Sequence, residues 1–447
     1  MFELIIRNAH LVQSGGITVG DLAIKKGRIS RIAGKIDGPS QKEIDAHGMY
    51  IMPGVIDDQV HFREPGLTYK ADIASESLAA LAGGVTSFME MPNTKPPAVT
   101  QKLLADKYAI AAKHSWVNYS FYMGATNENF DELMQTDAQD VCGIKIFMGS
   151  STGNMLVDNE KALDHIFSEW PYLIATHCED EQAIRRNLAE WVSKYGDDIP
   201  AHIHPLIRSH EACYLSSSMA VDLARKYGTR LHVLHLTTAQ ETELFDYTLP
   251  LSEKKITAEV CVHHLFFSEK DYSSLGHQIK CNPAIKTEAD QDKLWQALLS
   301  NRIDVVATDH APHTWTEKNQ PYTLAPSGLP LIQHPLNIVL DAVAQGKLTL
   351  TQMVDFMCHH PAIAFKIKER GFLQEGYWAD LVLFSPYETT IIKKSELLYK
   401  CGWSPLEGYQ FHGKILATFV NGIQAFADGH LLINKPIGQR LTFQHVY

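Results

Sequence analysis

The feature that most limits the possible folds is a regular alternation of short apolar segments with amphipathic ones, from about Val55 onwards. The apolar segments, each typical of a buried β-strand, are GVIDDQVHF, GVTSFMEMPN, SWVNYSFYMG, CGIKIFMG, YLIATHCED, RLHVLHLTT, KITAEVCVHHLFF and IDVVATDHAPH. Between most of them lie segments such as QKLLADKYAIAAKH, whose apolar residues recur every three or four positions as in a helix. Eight such units predict a (β/α)8 TIM barrel, whose parallel strands are buried.

Both ends of the chain are predicted to be β-rich and to pair with each other. The N-terminal segments are FELIIRNAHLV, DLAIKKGRISRIA and KEIDAHGMYIMPG, and the C-terminal ones are GYWADLVLFSP and KILATFVNGIQAFADGHLL. Short apolar or alternating stretches separated by glycine-containing turns are typical of strands. We therefore predict an α/β chain of two parts. Residues 55–375 form the barrel, and residues 1–54 with 376–447 form a small β-sandwich satellite domain.

Composition excludes several classes of function. The formal net charge is −11, whereas nucleic acids and anionic membranes are bound through basic surfaces, so neither is expected as a partner. The seven cysteines are scattered and form no CxxC pair, which favours reduced thiols in a cytoplasmic protein. No apolar run reaches the roughly 18 residues of a transmembrane helix.

Polar side chains stand at the ends of the predicted barrel strands, where the active sites of such barrels lie. They are Gln59, His61 and Arg63 on strand 1, Asn93 on strand 2, Lys145 on strand 4, His177 on strand 5, His235 on strand 6, His263 and His264 on strand 7, and Asp309 with His313 on strand 8. Each alone could be an ordinary structural residue. Together, imidazoles and a carboxylate are the ligand types that suit zinc. On a strand His263 and His264 would point to opposite faces, so at most one would face the site.

Lys145 is the most informative single residue, because apolar neighbours surround it in GIKIFMG. A bare ammonium group on a buried strand is costly. Such a lysine loses its proton through desolvation, pairs with an acid or is chemically modified. A neutral lysine amine can add carbon dioxide and become a carbamate, which can bridge two metal ions. The alternative is a lysine that extends its ammonium to the surface at the strand end.

Several local motifs identify a family. QVHFREPGLTYKADI, GGVTSFMEMPNTKPP, GIKIFMGSS, THCEDE, HVLHLTT, CNPAIKTEAD and ATDHAPH resemble the dihydroorotases of the amidohydrolase superfamily, over nearly the whole predicted barrel. Dihydroorotases interconvert L-dihydroorotate and N-carbamoyl-L-aspartate in pyrimidine biosynthesis. The resemblance implies a small-molecule substrate, one or two zinc ions per subunit and a homodimer.

The resemblance also implies residue roles. His61, His177, His235 and Asp309 would bind zinc, and Lys145 would be the carbamylated bridging ligand. Zinc-bound water would supply hydroxide as nucleophile, with Asp309 as the general acid and base. Substrate contacts would come from Arg63, Asn93, Asn282, His313, Ser327 and Gly328, with the Arg63 guanidinium suited to a carboxylate.

One residue departs from the family pattern, which usually has His-x-His on strand 1. Here the segment is Gln59-Val60-His61, and an amide oxygen is a poor zinc ligand beside imidazole. The first metal position could therefore be weaker or empty. Two alternatives stay open: an allantoinase or dihydropyrimidinase-like enzyme, and a non-catalytic barrel that serves as a scaffold, for example for aspartate transcarbamoylase.

Overall fold

The computed structural model describes residues 1–149 and 155–444, and it begins with five strands that precede the barrel. They are β1 (Phe2–Gln13), β2 (Gly16–Lys25), β3 (Arg28–Ala33), β4 (Ser40–Asp45) and β5 (Tyr50–Pro53). The long strand β1 pairs antiparallel with β2 along most of its length. Its other edge pairs in parallel with β4 and then with β5. Consecutive residues of β1 are buried, including Leu4, Ile5 and Ile6, so this strand is covered on both faces over part of its length.

The barrel strands follow directly. They are β6 (Val55–Val60), β7 (Val85–Glu90), β8 (Asn118–Phe121), β9 (Met123–Gly124), β10 (Ile144–Phe147), β11 (Leu173–His177), β12 (Arg230–Val233), β13 (Ile256–Cys261) and β14 (Val305–Ala307). All of their pairings are parallel. Every residue of β6, β7, β10 and β11 is buried. Helices on the outside and side chains on the inside therefore cover both faces, which explains the continuous apolar runs.

The parallel strands close into a barrel. The strands β8 and β9 are one barrel strand interrupted at Tyr122, and they join a three-stranded segment (β6-β7-β8) to a six-stranded one (β9 to β14). On the opposite side a parallel bridge joins Val60 and His310, and the His61 amide donates to the His310 carbonyl at 2.7 Å. The predicted (β/α)8 barrel is confirmed.

Helices connect the strands around the outside of the barrel. The α-helices are Ile73–Ala82, Gln101–His114, Phe130–Met134, Glu160–Glu169, Glu181–Tyr195, His204–Ile207, His210–Tyr227, Ala239–Thr242, Val262–Phe266, Tyr272–Leu275, Glu288–Leu299, Trp315–Lys318, Pro335–Ala344, Leu350–Val354 and His360–Ala364. Several begin at a side chain that caps the first backbone N–H groups, as Thr100 and Asp180 do. In the described part of the chain, none of these helices combines the length and the apolar character needed to cross a bilayer.

The chain returns to the first sheet after the barrel. The strands β15 (Leu381–Ile391), β16 (Gln410–Val420), β17 (Ile423–Ala427) and β18 (His430–Leu431) form one sheet with the N-terminal strands, in the order β18-β17-β16-β15-β5-β1-β2-β3, with β4 beside β1. The junction is the antiparallel pairing of β5 with β15. Both chain ends thus build the satellite, as predicted. The predicted satellite range reaches residue 447, and residues 445–447 (with His445) lie outside the described residues.

Candidate active site

A small cavity opens at the carboxyl ends of the barrel strands. Every site residue predicted from the sequence lines it except His313. The lining residues are Gln59, His61, Arg63, Asn93, Lys145, Phe147, His177, His235, Asn282, Asp309, Ala311, Ser327 and Gly328. Residues up to 269 positions apart in the chain meet here because parallel strands deliver their carboxyl ends to the same rim.

His177 and His235 form the first pair of metal-donor atoms. His177 Nδ1 lies 2.9 Å from His235 Nε2, and His177 Nε2 lies 3.0 Å from a Glu179 carboxylate oxygen. Burial opposes ionisation of Glu179, but the Arg208 guanidinium and His177 lower its pKa to about 2. The ionised Glu179 can only accept, so His177 donates from Nε2 and carries a lone pair on Nδ1 when its ring is neutral. A histidine oriented in this way by a carboxylate is typical of metal ligands.

His61 and Asp309 form the second pair. His61 Nε2 lies 3.1 Å from Asp309 Oδ1, while His61 Nδ1 donates to Asn93 Oδ1 at 2.8 Å. With its proton on Nδ1, a neutral His61 turns the lone pair of Nε2 towards a carboxylate oxygen, so a proton or a metal ion between the two atoms would stabilise the pair. Asn93, predicted as a substrate contact, thus also orients His61.

Gln59 occupies the position next to this pair. Its side-chain Nε2 donates to Asp309 Oδ1 at 3.2 Å, and its Oε1 lies 3.9 Å from Cys261 Sγ. The amide therefore presents its N–H group to the carboxylate and turns its oxygen away. An N–H group cannot bind a metal ion, so this position offers fewer metal donors than the His-x-His pattern would.

Lys145 projects from β10 into the cavity wall and is 1% exposed. Its Nζ makes no hydrogen bond to any described residue and lies 4.7 Å from the centre of the Phe147 ring. Burial lowers the pKa of this amine to about 7. The structure thus places beside both donor pairs an amine whose charged form is disfavoured by burial.

Arg63 provides the cationic side of the cavity. Its Nε donates to the Pro312 carbonyl at 3.1 Å, and its second terminal nitrogen lies 3.1 Å from His313 Nε2. The remaining guanidinium N–H groups are free of these two contacts and can bind an anion. His313 itself does not line the cavity; it lies behind Arg63, where Lys70 Nζ is 2.9 Å from its Nδ1.

Asn282, Ser327 and Gly328 line the cavity from the chain segments that follow β13 and β14. Asn282 Oδ1 is buried without a hydrogen-bond partner among the described residues. Gly328 has a φ of +131°, and a Cβ there would lie 2.5 Å from the Ala311 carbonyl oxygen. Only glycine lets this loop approach the Ala311 backbone so closely.

The prediction that His263 and His264 lie on a strand and point to opposite faces was wrong, whereas neither residue lines the cavity, in keeping with the expectation that at most one would. The strand β13 ends at Cys261, and Val262–Phe266 form a helical turn. The two rings therefore do not point to opposite faces: both are buried, with centres 4.0 Å apart. A periodicity of two cannot hold once the chain leaves the strand.

The sequence reasoning missed the pairing of Glu179 with Arg208 that holds His177. A weak signal was present, since Glu179 follows His177 at the spacing of two that puts strand residues on one face. It also missed two buried groups of potential metal ligands, Asp58 with His232 and Glu259, and Cys261 with His263 and His264.

Residues 50–424 match the model of the amidohydrolase family. The chain belongs to the amidohydrolase family. It is 32% identical to a dihydroorotase from Pyrococcus abyssi, with 98% of each chain covered. It is 30% identical to an allantoinase from Deinococcus radiodurans, again with 98% of each covered. Among solved structures, it matches the L-hydantoinase (dihydropyrimidinase) from Arthrobacter aurescens with a TM-score of 0.94 and 27% identity, over 99% of this chain and 100% of that one.

Members of the amidohydrolase family typically bind metal ions, and the donor set of this cavity fits one. The Nδ1 lone pair of His177 faces His235, while that of His61 Nε2 faces Asp309. The buried His235 Nδ1 and Lys145 Nζ make no hydrogen bond to any described residue. Imidazole nitrogens and a carboxylate are donor types that zinc binds.

Proposed function

We propose that the protein is a dihydroorotase, which opens the cyclic amide of L-dihydroorotate to N-carbamoyl-L-aspartate and catalyses the reverse reaction in pyrimidine biosynthesis. One observation carries the proposal: a single cavity combines metal-donor side chains with Arg63, a cation for the substrate carboxylate. The named dihydroorotase relative, similar over nearly its whole length, supports the same substrate.

The cavity would hold zinc between His177, His235 and Lys145, with His61 and Asp309 as a further pair. When bound, zinc polarises the scissile carbonyl and activates water for attack. Because Gln59 offers an N–H group to Asp309 rather than a lone pair to a metal, we infer that the His61–Asp309 position binds more weakly. This proposal allows one strong zinc ion per subunit and a second weaker one.

Lys145 would act as a carbamate. Its neutral amine attacks carbon dioxide, a new N–C bond forms, and one proton leaves to solvent. The product is an anion whose two oxygens can bind metal. The burial of Lys145 without a hydrogen-bond partner among the described residues supports this modification.

Asp309 would carry the proton. Gln59 Nε2 donates a hydrogen bond to its Oδ1, so the carboxylate is oriented before substrate arrives. Asp309 accepts a proton from the attacking water and delivers it to the ring nitrogen as the amide C–N bond breaks. One carboxylate used twice in this way is ordinary general acid–base catalysis.

Arg63 would bind the substrate carboxylate through its free N–H groups. The contacts of Arg63 with Pro312 and His313 hold the guanidinium plane, and a fixed plane suits a two-point contact with a carboxylate. Asn93, Asn282, Ser327 and Gly328 would contact the rest of the substrate, whereas His313 would act through Arg63.

The test compares substrates on the purified, zinc-loaded protein. We expect kcat/KM to be highest for L-dihydroorotate, with lower values for allantoin, dihydrouracil and hydantoin, none of which carries a carboxylate at that position.

The variant Arg63→Lys should raise KM for dihydroorotate about 10-fold to 100-fold, because it keeps the charge but loses the fork geometry. The exposed Arg185 gives a matched control, Arg185→Lys.

Two outcomes would contradict the proposal. Faster turnover of allantoin than of dihydroorotate would favour an allantoinase. Faster turnover of dihydrouracil than of dihydroorotate would favour a dihydropyrimidinase-like enzyme. A protein that turns over none of these substrates, even after zinc and bicarbonate are supplied, would favour the non-catalytic scaffold.

A further inference from the structure

A cluster formed by Cys261, His263 and His264 lies behind the wall of the cavity. The three side chains are 0%, 1% and 3% exposed. Each can offer one donor atom such that all three atoms lie within 4.8 Å of one another. Cys261 Sγ also lies 3.9 Å from Gln59 Oε1, and Gln59 lines the cavity. The cluster is therefore adjacent to the candidate active site but shares none of its proposed zinc ligands.

The local backbone produces this arrangement. The strand β13 ends at Cys261 and the chain turns at once into the short helix Val262–Phe266. This turn brings the neighbouring imidazole rings of His263 and His264 together, with centres 4.0 Å apart and planes at 45°. Three donor side chains within four residues are thus held by one short piece of rigid backbone.

Three of the four imidazole nitrogens of the cluster make no hydrogen bond to any described residue. Within the described residues, neither ring nitrogen of His263 reaches a partner at hydrogen-bond geometry, and the same is true of His264 Nδ1. His264 Nε2 lies 3.1 Å from the Pro283 carbonyl. Since a carbonyl can only accept, His264 donates from Nε2 and leaves a lone pair on Nδ1 when neutral. Buried polar groups are nearly always paired, so these nitrogens call for a ligand.

The other buried group of potential ligands carries opposite charges of its own. His232 Nε2 lies 3.1 Å from an Asp58 carboxylate oxygen and 3.7 Å from one of Glu259, so this group contains its own ion pairs. The cluster at Cys261 has no such internal pairing of opposite charges. Both Asp58 carboxylate oxygens, His232 Nε2 and Glu259 Oε2 also make no hydrogen bond to any described residue. The two groups therefore differ in charge: only the Cys261 cluster holds imidazoles without a carboxylate among its own members.

We propose that Cys261, His263 and His264 bind a zinc ion, separate from any ion held by His177 and His235. One thiolate and two imidazoles are soft and borderline donors that favour zinc over magnesium or calcium. On binding, the Cys261 thiol releases its proton to solvent and the sulfur bonds to the metal as thiolate. The S–H contacts of Cys261 with Glu259 and Gln59 are then lost.

Cobalt substitution tests the proposal without relying on activity. Co²⁺ bound to a thiolate gives a near-ultraviolet charge-transfer band, which sites made of imidazole and carboxylate lack. We expect this band in the cobalt-loaded protein, and we expect it to persist in His177→Asn, which removes a ligand of the proposed catalytic site. Cys261→Ser should abolish the band. Cys358→Ser, at another fully buried cysteine, should retain it.

Absence of the band in the cobalt-loaded protein, or its persistence in Cys261→Ser, would overturn the proposal. A crystal of the zinc-loaded wild-type protein gives a second measurement that does not depend on any variant folding. An anomalous peak about 2.3 Å from Cys261 Sγ and about 2.0–2.1 Å from a nitrogen of each histidine is expected. Peaks confined to His177 and His235 would refute it. A protein without dihydroorotate turnover could still give both positive results, so the two proposals fail separately.

Discussion

Lys145 is the residue whose surroundings bear most on the chemistry of the cavity. Its neighbours on β10, Ile144 and Ile146, are fully buried, and the strand is covered by parallel partners on both edges. The side chain cannot reach bulk water, and burial lowers its pKa to about 7. An unpaired amine in such a place costs stability, which favours a role in modification and metal binding.

The variant Lys145→Ala should lose activity about 100-fold or more, because a ligand of the proposed metal centre is removed. Short carboxylic acids such as acetate should restore part of the activity by supplying the missing oxygens. Activity is measured with dihydroorotate, and the carbamate of the wild-type protein is observed by ¹³C NMR after labelling with ¹³C-bicarbonate.

Lys254→Ala serves as the control, since this buried lysine pairs with Asp304 away from the cavity. If the Lys254→Ala variant loses activity, acetate should not restore it. Full activity in Lys145→Ala, or no carbamate signal in the active wild-type protein, would count against the bridging role.

At the scale of elements, Asp290 ties the starts of three helices together. It lies in the first turn of Glu288–Leu299 and accepts hydrogen bonds from the Thr287 hydroxyl, from His210 Nε2 and from the Ala239 amide. His210 and Ala239 are the first residues of their own helices. Burial raises the pKa of Asp290, but these hydrogen bonds outweigh it and lower the pKa to about 2.

The variant Asp290→Asn should lower the free energy of unfolding by about 1–3 kcal/mol at pH 7. A carboxylate whose pKa is depressed on folding stabilises the protein fully above its unfolded value of 3.8. We therefore expect the difference between wild type and variant to be constant from pH 7 to about pH 5, and to shrink as the pH falls below 3.8 towards 2. Urea unfolding over a pH series measures this.

Asp292→Asn, at an exposed position of the same helix, is the matched control and should change little at any pH. A stability loss in Asp290→Asn that is the same at pH 7 and pH 3 would show that the charge of Asp290 is not the cause.

At the scale of the whole molecule, Asp380 joins the satellite to the barrel. It pairs with Arg370, accepts from Asn118 Nδ2 of the barrel strand β8 at 3.1 Å, and accepts from the Asn421 amide between β16 and β17 at 2.7 Å. Arg370 and Asp380 are each under 6% exposed. Removing one member of a buried pair leaves the other charge uncompensated, so this junction should matter for stability.

The variant Asp380→Asn should lose about 3–5 kcal/mol of stability and lower the thermal unfolding midpoint. Glu388→Gln provides the comparison, because its pair with Lys414 is about half exposed and contributes about 0–1 kcal/mol. Equal midpoints for the two variants would mean that the satellite and barrel do not depend on this junction.

Much of the fold followed from the sequence because each buried parallel strand leaves a continuous apolar run. The eight apolar segments each contain a strand of the barrel, and ten of the eleven predicted site residues line one cavity. The exceptions have local causes. His313 lies behind Arg63, and His263 and His264 follow the early end of β13. Strand ends depend on tertiary contacts, which periodicity alone does not record.

By itself, the sequence determined the alternation of strands and helices. This alternation determined the barrel and also the rim of the barrel at which the polar residues lie. Only the tertiary structure decided how these residues meet. Gln59 turns its N–H group to Asp309, 250 positions away, and Glu179 holds His177 with the help of Arg208. The reason is physical: strand periodicity sets the face on which a side chain lies, whereas contacts between strands depend on register, barrel closure and rotamer.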